Sequence, residues 1–147
     1  MDEIRPWLFI GKYRDTLDKD YLDFHSIKAM LQLAEKVEQP GINVLFLPVE
    51  DLAPISVDLL TKGIEFLKEQ KSLGFPILVS CGAGINRSTV FSIIALKEHE
   101  GLGLLDAYKE VKKYHPESLP NEPLWISLCD YYNESVPYLD IMRLAAQ

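Results

Sequence analysis

The chain is short of several things, and each shortage removes a class of protein. Its 147 residues hold two cysteines, Cys81 and Cys129, too few for a disulfide framework or a four-ligand zinc cluster. Three histidines, His25, His99 and His115, are scattered without a partner at ligand spacing and read as surface or helix-end residues rather than metal ligands. Basic residues are in deficit, 15 against 22 acidic ones, for a net charge of −7. That disfavours nucleic acid or an anionic membrane as a partner, since both reward a basic face. No apolar run approaches the roughly 18 residues that a membrane span needs. Met1-Asp2-Glu3-Ile4-Arg5 lacks the basic region and apolar block of a signal peptide. Repeats, low-complexity tracts and Gly-, Ser- or Pro-rich linkers are missing too. The length suits one hydrophobic core, and 48% hydrophobic with 25% charged residues is a globular balance. The expectation is a single domain over residues 1–147, reduced and cytoplasmic, acting as an enzyme or a binding module. The oligomeric state is not encoded in any pattern found here.

Along the chain, Trp7-Leu8-Phe9-Ile10 is a short apolar run stopped by Gly11 and predicts a strand. Residues 15–24 are polar enough for a loop or a short surface helix. Ile27 to Leu33 is open between helix and strand, because periodicity does not separate short apolar runs. Ile42 to Pro48 is apolar, β-branched and closed by proline, which predicts a buried strand. Ser56 is placed to cap a helix with the stripe Val57, Leu60, Ile64 and Leu67, and Gly74 and Pro76 end the connection after it. Pro76 to Val79 reads as another buried strand. Ser88 to Glu98 predicts a helix with Gly101 just past its end. Leu105, Tyr108 and Val111 mark a further helix, and Pro120 precedes a last one carrying Leu124, Trp125, Leu128 and Tyr132. Strands separated by helices predict an α/β sheet with helices packed on it.

The chemistry concentrates in "ILVSCGAGINRSTVFSIIAL", Ile77 to Leu96. A strand runs into Cys81-Gly82-Ala83-Gly84-Ile85-Asn86-Arg87, which opens a helix. Small residues let backbone N–H groups converge on a concave centre, and the helix N-terminus adds its dipole, so the loop is a candidate anion site. Such surroundings favour a thiolate at Cys81. Arg87 adds a planar fork matched to two phosphate oxygens. A nucleophile at the floor of an anion cradle points to phosphoryl transfer onto sulfur. The competing reading is a buried structural thiol in an ordinary strand-to-helix turn, with Arg87 on the surface. A Walker-type site fits poorly, because no Gly-Lys-Ser/Thr follows the glycines. The dinucleotide fingerprint fails as well: Gly82 and Gly84 fit its first two glycines, but the third falls on Arg87.

"VSCGAGINRST" resembles the active-site loop of the cysteine-based phosphatases, and the whole chain is similar to the compact dual-specificity protein phosphatases. "RPWLFIGKYRDT" resembles that family's opening strand and glycine, and "LFLPVEDLAPIS" its strand and acid loop. A helix over 57–70 leads into the catalytic strand. "VKKYHPESLPNEPLWISLCDYY" resembles the closing helices with the Pro-Asn turn between them. The resemblance implies that Ile27 to Leu33 is a strand, and that the fold is a central mixed, largely parallel sheet flanked by helices. It implies a phosphomonoester hydrolase that uses no metal and no cofactor. The phosphate would sit on Gly82, Ala83, Gly84, Ile85, Asn86 and Arg87, with Ser88 hydrogen-bonded to the sulfur of Cys81. Asn121, at the Pro-Asn turn, would brace the active-site loop; an ordinary cap for the final helix is the equal alternative. One position departs from the pattern. The family's histidine before the cysteine is Ser80 here, whose hydroxyl would support loop and thiolate differently.

Transfer from a serine, threonine or tyrosine oxygen needs a proton donor for the leaving group. Asp51, 30 residues before Cys81 between Pro48 and Pro54, stands at the matching place in the resemblance, where a loop can swing an acid over a bound phosphate. Glu50 beside it and Asp58, set against the dipole of a first helical turn, are rivals, and a solvated turn residue is the plain alternative. The expected activity is hydrolysis of phosphotyrosine, extending to phosphoserine and phosphothreonine, in phosphorylated proteins or peptides. The loop interior carries no lysine, which with the net charge of −7 argues against phosphoinositides or RNA 5′-triphosphates as preferred substrates. A phosphate-binding module with little turnover is the alternative that Ser80 favours. A sulfur transferase or arsenate reductase is opposed by the lack of a nearby partner thiol. Lys109, Lys112 and Lys113 read as a solvated face, Cys129 as packing, and Trp7, Phe9, Trp125 and Tyr132 as core.

Overall fold

Parallel strands need crossover connections rather than tight hairpins, and the chain supplies them from its second strand onward. The computed structural model describes residues 1–147. The elements are β1 (Asp2–Arg5), β2 (Leu8–Lys12), α1 (Tyr13–Thr16), α2 (Lys19–Phe24), β3 (Ala29–Gln32), β4 (Asn43–Phe46), α3 (Val57–Ser72), β5 (Ile77–Cys81), α4 (Arg87–Glu100), α5 (Leu104–Tyr114), α6 (Glu122–Tyr132) and α7 (Tyr138–Ala145). One five-stranded sheet has the order β1-β2-β5-β3-β4. β1 runs antiparallel to β2, and every other neighbour is parallel. The sheet is therefore mixed and largely parallel, as expected, with β5 at its centre.

The two faces follow the strand period of two. Leu8, Ile10, Ala29, Leu31, Ile77, Val79 and Cys81 join the large core under the helices. Phe9, Met30 and Leu78 face the smaller cluster closed by Leu22 and Ile27. Residues 90–96 of α4 are buried all round, which marks a central helix rather than an amphipathic surface one. Gly101 ends it in the left-handed conformation at φ 70°. Ser56 caps α3 as expected, its Oγ accepting from Leu59 N at 3.2 Å. Gly63 lets α3 approach α4: a Cβ there would stand 2.3 Å from Cε1 of Phe91. The β1 edge is tied to the helices by Arg5, whose guanidinium donates to both carboxylate oxygens of Glu100 and to Glu110 at 2.8–2.9 Å. The bond from Arg5 holds the Glu100 carboxyl below the usual carboxylate range.

Four expectations are amended. Ile42 to Pro48 forms β4 but not as a buried strand: it is the sheet edge, exposed at Asn43 and half-buried over Val44–Phe46, because no strand covers its outer side. Val57 leaves the predicted apolar stripe and is 67% exposed, while Leu60, Ile64 and Leu67 are buried; it stands in the first turn, where α3 overhangs the core. The helix after Pro120 is not the last. α7 follows it and buries Ile141 against the main core. The opening strand has an antiparallel neighbour, β1, too short to show a periodicity. Residues 15–24 resolve into parts of α1 and α2, and Ile27 to Leu33 contains the wholly buried strand β3.

Candidate active site

β5 is hydrogen-bonded on both sides, to β2 and β3, and delivers Cys81 at the carboxyl end of the sheet, where ligand crevices of open α/β sheets form. The chain then turns through residues 82–86 into α4. Gly84 sits at φ +72°, and a Cβ on it would lie 2.9 Å from the carbonyl oxygen of Gly11. Both the backbone conformation and the close approach to β2 demand glycine there.

The loop's carbonyls are drawn outward one by one. Tyr13 N donates to Gly82 O at 3.3 Å and Leu119 N to Ile85 O at 3.1 Å. Thr89 Oγ1 also donates to Ile85 O, at 2.6 Å, and His115 Nε2 holds Gly84 O at 2.6 Å. None of the N–H groups of residues 82–86 donates to a backbone carbonyl. A peptide plane points its C=O and N–H in opposite directions, so carbonyls turned out leave amides turned in, toward the concave side. An unpaired run of converging amides at a helix N-terminus is an anion site.

Cys81 is 4% exposed, and its Sγ lies 3.2 Å from Oγ of Ser88. Ser88 is wholly buried in the first turn of α4. The Arg87 fork is anchored on one side: Nη1 donates to Val49 O at 3.1 Å and to Leu33 O at 3.5 Å. Its Nη2 lies 3.6 Å from where a Cβ of Gly82 would stand, which keeps the guanidinium over the loop. Cys81 and Ser88 are thus in contact at the start of α4, and the Arg87 fork is held beside Gly82 of the same loop.

Asp51 stands exposed in the turn beyond β4. Its Oδ1 accepts from Asn121 Nδ2 at 2.7 Å and from Leu52 N at 3.2 Å. Leu52 itself is held at φ +59°, a costly conformation for a branched side chain. Of the rivals, Asp58 pairs with Lys62 at 3.1 Å along α3, and Glu50 is exposed beside Asp51.

Two supporting residues behave differently from expectation. Asn121 caps α6, its Oδ1 accepting from Leu124 N at 3.2 Å, and its amide holds Asp51 rather than the active-site loop. The turn braces the loop through the backbone instead, at Leu119. Tyr108 steadies that turn by donating to Ser118 O at 2.8 Å, and burial pushes its phenol up to about 12, so the donor stays protonated. Ser80 is buried, but strand alternation puts its hydroxyl on the face opposite Cys81; its support of the strand runs through its carbonyl, which accepts from Leu33 N at 3.0 Å. His115 stands at a helix end, as expected, closing α5, but it is buried against the loop rather than at the surface. Three metal-type donors, Asp2, His115 and Glu117, come within 4.8 Å of one another; they gather at Gly84's partner, not at Cys81.

The pattern of the family "Dual specificity phosphatase, catalytic domain" matches residues 8–134. Dual specificity protein phosphatase 8 of Mus musculus is 28% identical over 136 residues, covering 89% of this chain and 20% of that protein. Dual specificity protein phosphatase Mpk3 of Drosophila melanogaster is 33% identical over 128 residues, 81% of this chain and 31% of that protein. The chain therefore spans between a fifth and a third of the length of these two relatives. Among solved structures, human DUSP28 superposes with a TM-score of 0.84 at 24% identity over 90% of this chain and 96% of that one. The human tyrosine phosphatase-like serine/threonine/tyrosine-interacting protein does so with 0.81 at 25% identity, over 90% and 95%. No helix is long and apolar enough to cross a membrane. With its loop, its sheet order and this match over most of its length, the chain belongs to the dual specificity phosphatase catalytic domain family.

Proposed function

We propose that residues 1–147 form one catalytic domain that hydrolyses phosphotyrosine, with phosphoserine and phosphothreonine as further substrates, in proteins or peptides. The observation that carries this reading is the set of outward-turned carbonyls at residues 82, 84 and 85 above a buried sulfur. The amides of the loop and the Arg87 fork bind the phosphate dianion. Cys81 Sγ attacks phosphorus, the bond from phosphorus to the substrate oxygen breaks, and Asp51 protonates that oxygen as it leaves. Water then attacks the phosphocysteine, gives a proton to Asp51, and releases phosphate as the S–P bond breaks. Ser88, 3.2 Å from the sulfur, donates to the departing thiolate. The cradle supplies the positive field, so no metal or cofactor has a role. Two free thiols suit a reducing compartment, the cytoplasm.

A second reading, a phosphate-binding module with little turnover, is favoured by one observation: Ser80 turns its side chain away from Cys81, so the sulfur has Ser88 as its sole hydroxyl partner. Hydrolysis of an aryl phosphate without added metal, compared with Cys81→Ser, decides. Turnover that vanishes in the variant is expected. Phosphopeptide binding by both proteins with turnover by neither overturns the enzyme in favour of the module.

A further inference from the structure

The carbonyl of Gly84 is held by an imidazole whose other edge meets acids. His115 Nε2 lies 2.6 Å from Gly84 O, and Nδ1 lies 2.5 Å from Asp2 Oδ2. Glu117 Oε1 stands 3.5 Å from the same Nδ1. The imidazole is 7% exposed. A carbonyl and an ionised carboxylate accept hydrogen bonds and cannot donate. A neutral imidazole carries one N–H, so it would satisfy one of these acceptors and turn a lone pair on the other. The imidazolium donates to both.

We propose that His115, as the imidazolium, is a positioning residue: a proton-dependent strap that ties β1 to the active-site loop and sets the aim of its amides. The inference rests on reading that loop as the phosphate site. Gly84 O and Ile85 N–H belong to one peptide plane and point oppositely, so a bond that holds the carbonyl outward holds the Ile85 amide inward. Loss of the second proton leaves the remaining one with the carboxylate, the stronger acceptor. The Nε2 lone pair then faces Gly84 O. A glycine at φ +72° has no side chain to resist rotation of the adjoining plane. Turning that plane would remove a donor from the cradle and present a carbonyl oxygen to the phosphate.

The groups around His115 are Asp2 from β1, Glu117 from the segment after α5, and Lys12 and Asp15 from β2 and α1, with the Met1 ammonium. The ammonium is engaged by Asp15 at 3.4 Å. Both charged groups in reach of Nδ1 are acidic, so each can accept an N–H bond from the ring.

The test uses sulfate, whose charge stays constant, with Cys81→Ser as the background, so that no thiol titrates at the site. Sulfate affinity is measured by calorimetry between about pH 5 and 8, where imidazoles exchange their second proton. In Cys81→Ser it should fall roughly three- to tenfold across the range, the worth of one lost hydrogen bond. Adding His115→Arg, which keeps two donors and a permanent charge, should hold the affinity high and flat. Adding Asp2→Asn should also flatten it, because an amide meets either tautomer and leaves Nε2–H free for Gly84. The Ile85 amide resonance should titrate together with the His115 ring nitrogens. A pH-flat affinity in the background variant, or an unchanged slope with Asp2→Asn, overturns the strap. If wild type fails to hydrolyse phosphate esters while the sulfate slopes behave as stated, the catalytic reading fails and the strap stands. If sulfate does not bind at all, the anion site is lost, and an Ile85 resonance that ignores the His115 titration overturns the strap with it.

Discussion

Cys81 is 4% exposed, at the end of a strand paired on both sides, with the loop beyond it tied to α1, α4 and the turn before α6. Asp51 stands in solvent on a turn, its carboxylate held by the Asn121 amide and by Leu52 N of the same turn, beside a leucine in a strained conformation. To displace the sulfur, two strand ladders must give; to displace the Asp51 carboxylate from its neighbours, one hydrogen bond to another element and one within its own turn. The proposed chemistry asks for that asymmetry. A thiolate must be dry and fixed to attack in line, whereas an acid that serves first the leaving oxygen and then a water gains from a mobile mount. Arg87 joins the two regions, since its fork rests on the carbonyl of Val49, two residues before Asp51.

The largest expected effect is on the fixed side. Cys81→Ser should lower kcat by about 10^4-fold or more while phosphopeptide affinity by calorimetry is retained; loss of both would mean that the sulfur builds the cradle rather than using it. On the mobile side, Asp51→Asn should lower kcat by about 10^2- to 10^3-fold on an alkyl phosphate, and much less on a nitrophenyl phosphate, whose leaving group departs without a proton. Equal losses on the two substrates would remove Asp51 from the acid's role. Asn121 then separates positioning from stability. Asn121→Ala should cost about threefold to tenfold in kcat and about 1 kcal/mol of stability through the lost α6 cap, read as a lower Tm. Asn121→Asp should restore the Tm but not the rate, because it sets a second carboxylate against Asp51. The smallest effect belongs to Leu52→Gly, which relieves a left-handed leucine and frees the unfolded chain; the two nearly cancel, and the stability read from thermal melts should move by less than about 1 kcal/mol.

Legibility followed distance along the chain. The anion loop could be read because the thiol, the glycines and the arginine lie within seven consecutive residues, and each has a chemical reason to be there. The sheet type and most helices could be read from apolar runs and caps such as Ser56. Asn121 was visible as a cap, yet its grip on Asp51 joins residues 70 positions apart, and no local pattern carries that. The pairing of His115 with Asp2 spans 113 positions, and the segment around His115 that carries the resemblance says nothing of a partner at the start of the chain. Ser80 shows the converse: its place next to Cys81 suggested support for the sulfur, and strand alternation turned it away. β4 looked buried because apolar composition does not record whether a strand ends up with one neighbour or two.

The hydrogen atom that stands for a side chain at position 63 has a reach beyond its own helix. α3 begins directly after the turn that bears Asp51 and lies down on Phe91 of α4, the helix whose first residue is Arg87. Whatever spacing Gly63 and that ring settle on is handed through α3 to the acid and through α4 to the guanidinium. A methyl group added there would press Asp51 and Arg87 apart from a point deep in the core, so the proposed catalysis would be detuned by a change that no substrate ever meets.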